Sequence, residues 1–305
     1  MISFIMTARN ASSFINEAIE ALRKSTYKDW ELIAIDDNSA DTTLSKMREI
    51  SEKDLRIKVF ENIGKGKIAG LNYGYTLVNG DIVKCIDADD ILDVKFFNYL
   101  GEMSHHEATC HDAYVIKSNL QVIGNYSVDK CFLDKDFVYC LKNLKGIPKW
   151  AWSFTRNIGD KIFPMPEALP FEDVWFSLII KKYAKQILHI DRRLYHYRQH
   201  NDQTYGGILS FDPEVLAFRA ERMLKLIKVI KHEQTKRLVR DITDVGFFKC
   251  IQIFYTLLAE ETVEFRDIIT SGISRELKLK LIIFKKLNCL APSVTRFKWW
   301  IDRIK

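Results

Sequence analysis

The chain has 305 residues, 28% charged and 47% hydrophobic, with a formal net charge of +6. That is ordinary for a soluble globular protein with a sizeable core and room for an appendage. No stretch approaches 18 uninterrupted apolar residues, MISFIMTARN turns polar too soon for a signal peptide, and Cys85, Cys110, Cys131, Cys140, Cys250 and Cys289 form no CxxC; a reduced cytosolic chain without a membrane span is expected.

The first hundred residues alternate strand and helix. Ile2 to Met6 reads as an apolar strand, and Asn10 to Ser13 supply helix-capping side chains. Phe14, Ala18, Ile19 and Leu22 then recur at helical spacing. Glu31 to Ile35 is a second strand ending in Asp36 and Asp37, and Asp41-Thr-Thr opens a second helix. Ile57 to Phe60 is a third strand; Gly64-Lys-Gly-Lys leads into a helix carrying Ile68, Leu71 and Leu77. The fourth strand lies in Gly80–Asp90, GDIVKCIDADD, an apolar run broken only by Lys84. Repeated β-α-β units predict a doubly wound, mostly parallel, Rossmann-like α/β sheet.

Ligands bind at the carboxyl ends of strands in such sheets. Here Asp87, Asp89 and Asp90 crowd one strand end, and repulsion plus lost hydration must be offset. A divalent cation with oxygen ligands would do so, its shell completed by a diphosphate. The structural alternative is a solvated acidic turn before a helix near Val94.

ISFIMTARNASSFINEAIEAL, WELIAIDDNSADTT and AGLNYGYTLVNGDIVKCIDADD together resemble the family 2 glycosyltransferases of the GT-A fold. The resemblance covers about residues 1–205. It implies an inverting, metal-dependent transferase using a nucleotide-sugar, usually UDP-linked, with Mn²⁺ or Mg²⁺. It assigns Thr7, Arg9, Asn10, Asp37, Lys67, Asn72, Asp87, Ala88 and Arg198 to the nucleotide-sugar, with Asp37 reading the base. Asp87-Ala88-Asp89 matches the DXD motif; Asp89, Asp87 and His200 are its candidate metal ligands. Arg9 replaces the aromatic residue usual near the base, and a guanidinium also stacks on a base. Leu71 replaces an Arg common before Asn72; either Lys65 or Lys67 supplies the missing charge, or both are solvated loop lysines.

Residues 101–205 form the expected acceptor half after a nucleotide-sugar half at 1–100. CHDAYVI and LQVIGNY look like strands. PFEDVWFSLIIKKYAK is a helix behind Glu172-Asp173, a pair resembling the family's ED motif, whose Asp is the catalytic base. A sugar hydroxyl attacking an anomeric carbon sheds a proton that a nearby carboxylate takes; alternatively, acids at a helix start complement its dipole. After a strand at Gln186–Ile190, LYHYRQHNDQTY resembles the segment closing over the diphosphate, with Arg198 as phosphate clamp, His200 functional and His196 structural. Trp150 and Trp152 alternate along an expected strand, either as core or as a platform under an acceptor sugar. His105, His106, Cys110 and His111 fit no zinc spacing and read as an exposed turn.

Beyond Asp202 the chain turns helical, with Asp212-Pro213 starting a long helix to about Lys231 and VGFFKCIQIFYTLLAE forming another. Residues 206–305 make the helical C-terminal appendage. From Arg275 to Lys305 there are nine basic and two acidic residues, interleaved with apolar ones. Such a tail fits an anionic membrane surface better than nucleic acid. The expectation is a peripheral enzyme at the inner face of the cell membrane, moving a sugar to a glycan or lipid-linked acceptor in surface polysaccharide synthesis. A non-catalytic nucleotide- or glycan-binding module on the same fold is the alternative.

Overall fold

The computed structural model describes residues 1–200, 213–233, 249–260 and 262–286. They fall into two units: residues 1–167 with 171–199, and residues 168–170 with the described part of 200–305. The expected boundary at 205 lies outside the described residues.

The first unit carries a sheet of nine strands among the described residues. These are β1 (Ile2–Ala8), β2 (Trp30–Asp36), β3 (Ile57–Glu61), β4 (Ile82–Asp87), β5 (Ile91–Leu92), β6 (Ala108–Lys117), β7 (Val122–Tyr126), β8 (Trp152–Thr155) and β9 (Ile187–Gln199). Their order is β3-β2-β1-β4-β8-β6-β9-β5, with β7 on β6. β1 pairs in parallel with both β2 and β4, and β2 with β3. Every residue of β1 and β2 is buried, which is why their sequences are mostly apolar. Helices α1 (Ile15–Arg23), α2 (Thr43–Lys53) and α3 (Lys67–Thr76) make the crossovers. On α1 the buried residues Ile15, Ala18, Ile19 and Leu22 follow the helical period.

Beyond β4 the pairing is mixed. β8 is antiparallel to β4 and β6, whereas β9 runs parallel to β6. Several expectations are corrected here. β4 stops at Asp87, residues 88–90 turn, and a 3₁₀ turn over Val94–Tyr99 precedes the short helix Leu100–Ser104. Trp150 lies in a 3₁₀ turn, Lys149–Ala151, and not on a strand with Trp152. The strand expected at 186–190 continues through LYHYRQ to Gln199, so that stretch is sheet and not a closing loop. Cys110 and His111 are buried in β6, not in an exposed turn.

The second unit is helical, with Pro213–Glu233, Lys249–Ala259, Phe265–Thr270 and Arg275–Lys285. Leu216, Ala220, Phe254, Leu258, Ile268 and Leu281 form its core, and Leu277, Ile282 and Phe284 pack on it. Leu279 is left 57% exposed, so the Arg275–Lys285 helix docks one face and shows the other. Lys278 and Lys285 donate to the carbonyls of Ile269 and Glu260, and Lys280 pairs with Glu276 at 2.6 Å. Trp299 and Trp300 lie outside the described residues. No described helix is long and apolar enough to cross a membrane.

Candidate active site

The carboxyl ends of β1, β2 and β4 converge because their registers are fixed by parallel pairing: Thr7 lies beside Asp87, and Ala8 beside Asp36. Thr7 and Asp37 are buried, and Arg9 is exposed. The Asp37 Oδ1 accepts from the Asn62 side chain at 2.8 Å and from the Gly66 N–H at 2.9 Å, which shapes the loop into α3. Gly66 caps α3 at φ 84°, a conformation that favours glycine. Asn10 has φ 50° and its side-chain oxygen accepts from the Ala40 N–H at 2.8 Å. Its amide oxygen is therefore engaged in shaping the loop.

Four charged side chains then interlock. The Lys67 ammonium lies 2.9 Å from both Asp87 Oδ1 and Glu172 Oε1. The Lys149 ammonium lies 2.6 Å from Asp87 Oδ1 and 3.8 Å from Glu172. Lys67 can reach because α3 lies tight on the sheet: a Cβ on Gly74 would sit 2.7 Å from Ile5. Burial pulls the Lys67 ammonium down, but Asp87 and Glu172 outweigh it and hold it well above its ordinary value. Burial pushes Asp87 and Glu172 up, and the two lysines override this and hold both below their usual range. Lys67 is thus no solvated loop lysine. Lys149 carried no motif; the only clue was one charged residue amid the bulky GIPKWAW stretch.

Asp173 behaves in the opposite way. It opens the helix Asp173–Tyr183, with one oxygen accepting the Lys149 main-chain N–H at 2.8 Å. Burial and the neighbouring Glu172 charge push it up to about 7, the reverse of what an acid merely complementing a helix dipole would show. A carboxylate tuned near neutrality can take and release a proton. Asp90 is also pushed well above its usual range, by burial and by Asp89 and Asp87. One of its oxygens is buried without a hydrogen-bond partner.

Among the described residues no three His, Cys, Asp or Glu side chains converge to hold an ion alone. With two ammonium groups on Asp87, an ion here would fall to Asp89, next to buried Ala88, and would need phosphate oxygens and water. Mg²⁺ is commonly bound in that way. The residues fit an ion that arrives with a diphosphate.

Three expected ligands do other work. Arg198 is only 1% exposed; its guanidinium donates to Glu17 at 2.6 Å, the Asp89 carbonyl at 2.6 Å and the Ser118 carbonyl at 2.8 Å. Its N–H donates to Asp90 at 2.7 Å. It braces the turn after β4. Asn72 closes a two-bond clasp with the main chain of Met165, at 2.9 and 2.7 Å, so it joins α3 to the second half instead of facing a sugar. Trp150 and Trp152 are both buried. Trp150 stacks on Tyr195 with ring centroids 4.9 Å apart, which makes it core and removes the acceptor platform. His196 binds Asp93 at 3.0 Å and stacks on Tyr114. His200 opens the second unit, and the rest of its motif, 201–205, lies outside the described residues.

An uncharacterised glycosyltransferase of Haemophilus influenzae is 38% identical over 133 residues, 41% of each chain. The Escherichia coli UDP-Glc:alpha-D-GlcNAc-diphosphoundecaprenol beta-1,3-glucosyltransferase WfgD is 37% identical over 185 residues, 59% of this chain and 70% of that one. The first of these matches thus spans less than half of its relative. Among solved structures, S. aureus TarS 1-349 in complex with UDP-GlcNAc superposes with a TM-score of 0.58 at 15% identity, over 95% of this chain and 88% of that one. The mannosyltransferase PcManGT from Pyrobaculum calidifontis, in complex with GDP-Man and Mn²⁺, gives 0.56 at 14%, over 97% and 86%. These likenesses show the GT-A fold. The model of glycosyl transferase family 2 matches residues 3–159, the stretch that carries the acidic strand ends and both site lysines, and the chain belongs to that family.

Proposed function

We propose that the protein is an inverting, metal-dependent glycosyltransferase that moves a sugar from a UDP-sugar to a hydroxyl of a lipid-linked glycan. The observation that carries this is Asp173, held near neutrality beside the Asp87–Lys67–Glu172–Lys149 network. Asp173 takes the acceptor proton as the acceptor oxygen bonds to the anomeric carbon from the face opposite the diphosphate. The bond from that carbon to the phosphate oxygen breaks, its electron pair leaves with the nucleoside diphosphate, and the centre inverts. Lys67, whose side chain is 44% exposed, faces the leaving diphosphate. Asp37 receives the base through its remaining oxygen. Asp89 would hold Mn²⁺ or Mg²⁺, which when bound supplies Lewis-acid stabilisation of the departing diphosphate. WfgD, whose name gives a UDP-Glc donor and a diphosphoundecaprenol-linked acceptor, supports the donor and acceptor classes. Residues 275–305 bring the enzyme to the anionic inner surface of the membrane, where such an acceptor lies.

A panel of nucleotide-sugars with Mn²⁺ tests this, since slow donor hydrolysis needs no acceptor. Release of UDP from one donor, lost on chelation and in Asp89→Asn, is expected. Binding of nucleotides without turnover of any donor would make the chain a binding module instead.

A further inference from the structure

The acceptor-side network contains a residue with two separate arms into the site. We propose that Lys149 is a positioning residue that locks the donor and acceptor sides in one register: its ammonium fixes Asp87, and its main-chain N–H fixes Asp173. This rests on the glycosyltransferase reading above. The two contacts are 2.6 and 2.8 Å long, and the Lys149 side chain is 1% exposed. Taking an ammonium out of water is costly unless a counter-charge meets it, so this one holds a fixed place only with its carboxylate partner.

The turn that carries Lys149 is clamped from three directions. Beneath it, the buried Lys84 amine donates to the carbonyls of Trp150 and, at 3.3 Å, Trp152, and lies 2.8 Å from His111 Nε2. Before it, the Ile147 N–H donates to Ser177 Oγ at 2.8 Å, on the helix that Asp173 opens. Beside it, Gly146 touches the start of that helix: a Cβ there would lie 2.7 Å from the Asp173 carbonyl oxygen and 2.8 Å from the Val174 Cα. Lys67 reaches the same acids from a half-exposed stem and serves the ligand; Lys149, walled in, serves the carboxylates.

The two arms are separable by mutation. Lys149→Met removes the ammonium and keeps the N–H, Lys149→Arg restores the charge, and Gly146→Ala pushes the turn off the helix start. In the full chain, calorimetric titration of UDP with Mn²⁺ reads binding, and UDP release from the donor selected by the panel reads turnover. Lys149→Met should weaken UDP at least about tenfold, because Asp87 then repels the diphosphate, and Lys149→Arg should recover most of that loss. Gly146→Ala should lower turnover at saturating donor by about tenfold or more with the UDP Kd within about twofold, since only the base has lost its anchor. Unchanged UDP binding in Lys149→Met, or an Arg variant no better than Met, would overturn the ammonium arm. Equal losses of binding and turnover in Gly146→Ala would overturn the main-chain arm, and that arm still decides if Lys149→Met fails to fold. A wild-type chain that binds UDP and turns over no donor counts against the enzyme reading and leaves the binding comparison standing.

Discussion

The two ends of the same parallel sheet treat buried acid in opposite ways. At the amino ends, Glu31 on β2 accepts from Ser3 Oγ at 2.6 Å, from the Asn79 main chain at 2.6 Å and from Lys58 at 2.8 Å. Burial alone would raise it, but these partners win and hold it at about 2. At the carboxyl ends the network does not close. One oxygen each of Asp36 and Asp90 is buried without a partner, and Asp90 and Asp173 are pushed upward. Closed acid networks stabilise a fold, whereas unrelieved ones persist where a ligand completes them. The carboxyl end is therefore the working end, and mutations there should change chemistry more than stability.

The largest expected effect follows for Asp173. Asp173→Asn keeps the shape and removes the base, so turnover should fall by about 10²–10⁴, with UDP affinity within about twofold and stability near wild type. In the wild type, turnover should rise with pH through about 7, because only the ionised form accepts a proton. The sign for stability is opposite: a carboxyl raised on folding favours the protonated fold, so this group's contribution declines as pH rises from its unfolded value toward 7. A flat pH profile, or an equal loss of UDP binding in the Asn variant, would remove Asp173 from the base role.

Arg198 sharpens the contrast from the other side, since it is a charged motif residue inside a closed network. Arg198→Met leaves Glu17 and two carbonyls without their partner, and should lower unfolding stability by about 3 kcal/mol. A phosphate clamp predicts instead normal stability with lost UDP affinity. Denaturant unfolding beside UDP titration separates the two.

The difference between the halves also explains what was legible in the sequence. β1, β2 and β4 are largely buried and, with β3, joined by helical crossovers, so apolar runs, periodic helices and acidic strand ends all point to one sheet and one site. Beyond β4 the strands pair out of chain order, and β9 runs through the stretch that resembles the segment closing over the diphosphate. Arg198 and Asn72 matched motif positions, but long-range partners decide their roles: Glu17 lies 181 residues from Arg198, and Met165 lies 93 from Asn72. Lys149 was missed for the same reason, because Asp87 lies 62 residues away. Local sequence shows that Lys84 and Lys149 are lone charges in apolar surroundings, which demands a partner. It does not say which one.

The smallest effect tests the closed end. Glu31 binds Lys58, Ser3 and Asn79, and no ligand is needed to complete that set. Glu31→Gln keeps the shape, weakens the charge-assisted bonds and should lower stability by about 2 kcal/mol at neutral pH, with donor turnover unchanged. Because the folded carboxyl is held at about 2, below its unfolded value, its contribution is full above the unfolded value and is lost as pH falls toward 2. The gap between wild type and Gln variant should therefore be constant from about pH 6 upward and close progressively below about pH 4.5. Unfolding midpoints at a series of pH values read this directly. A gap independent of pH would mean that packing, and not the ionised carboxylate, sets the cost; a loss of turnover equal to that of Asp173→Asn would erase the distinction between the two ends of the sheet.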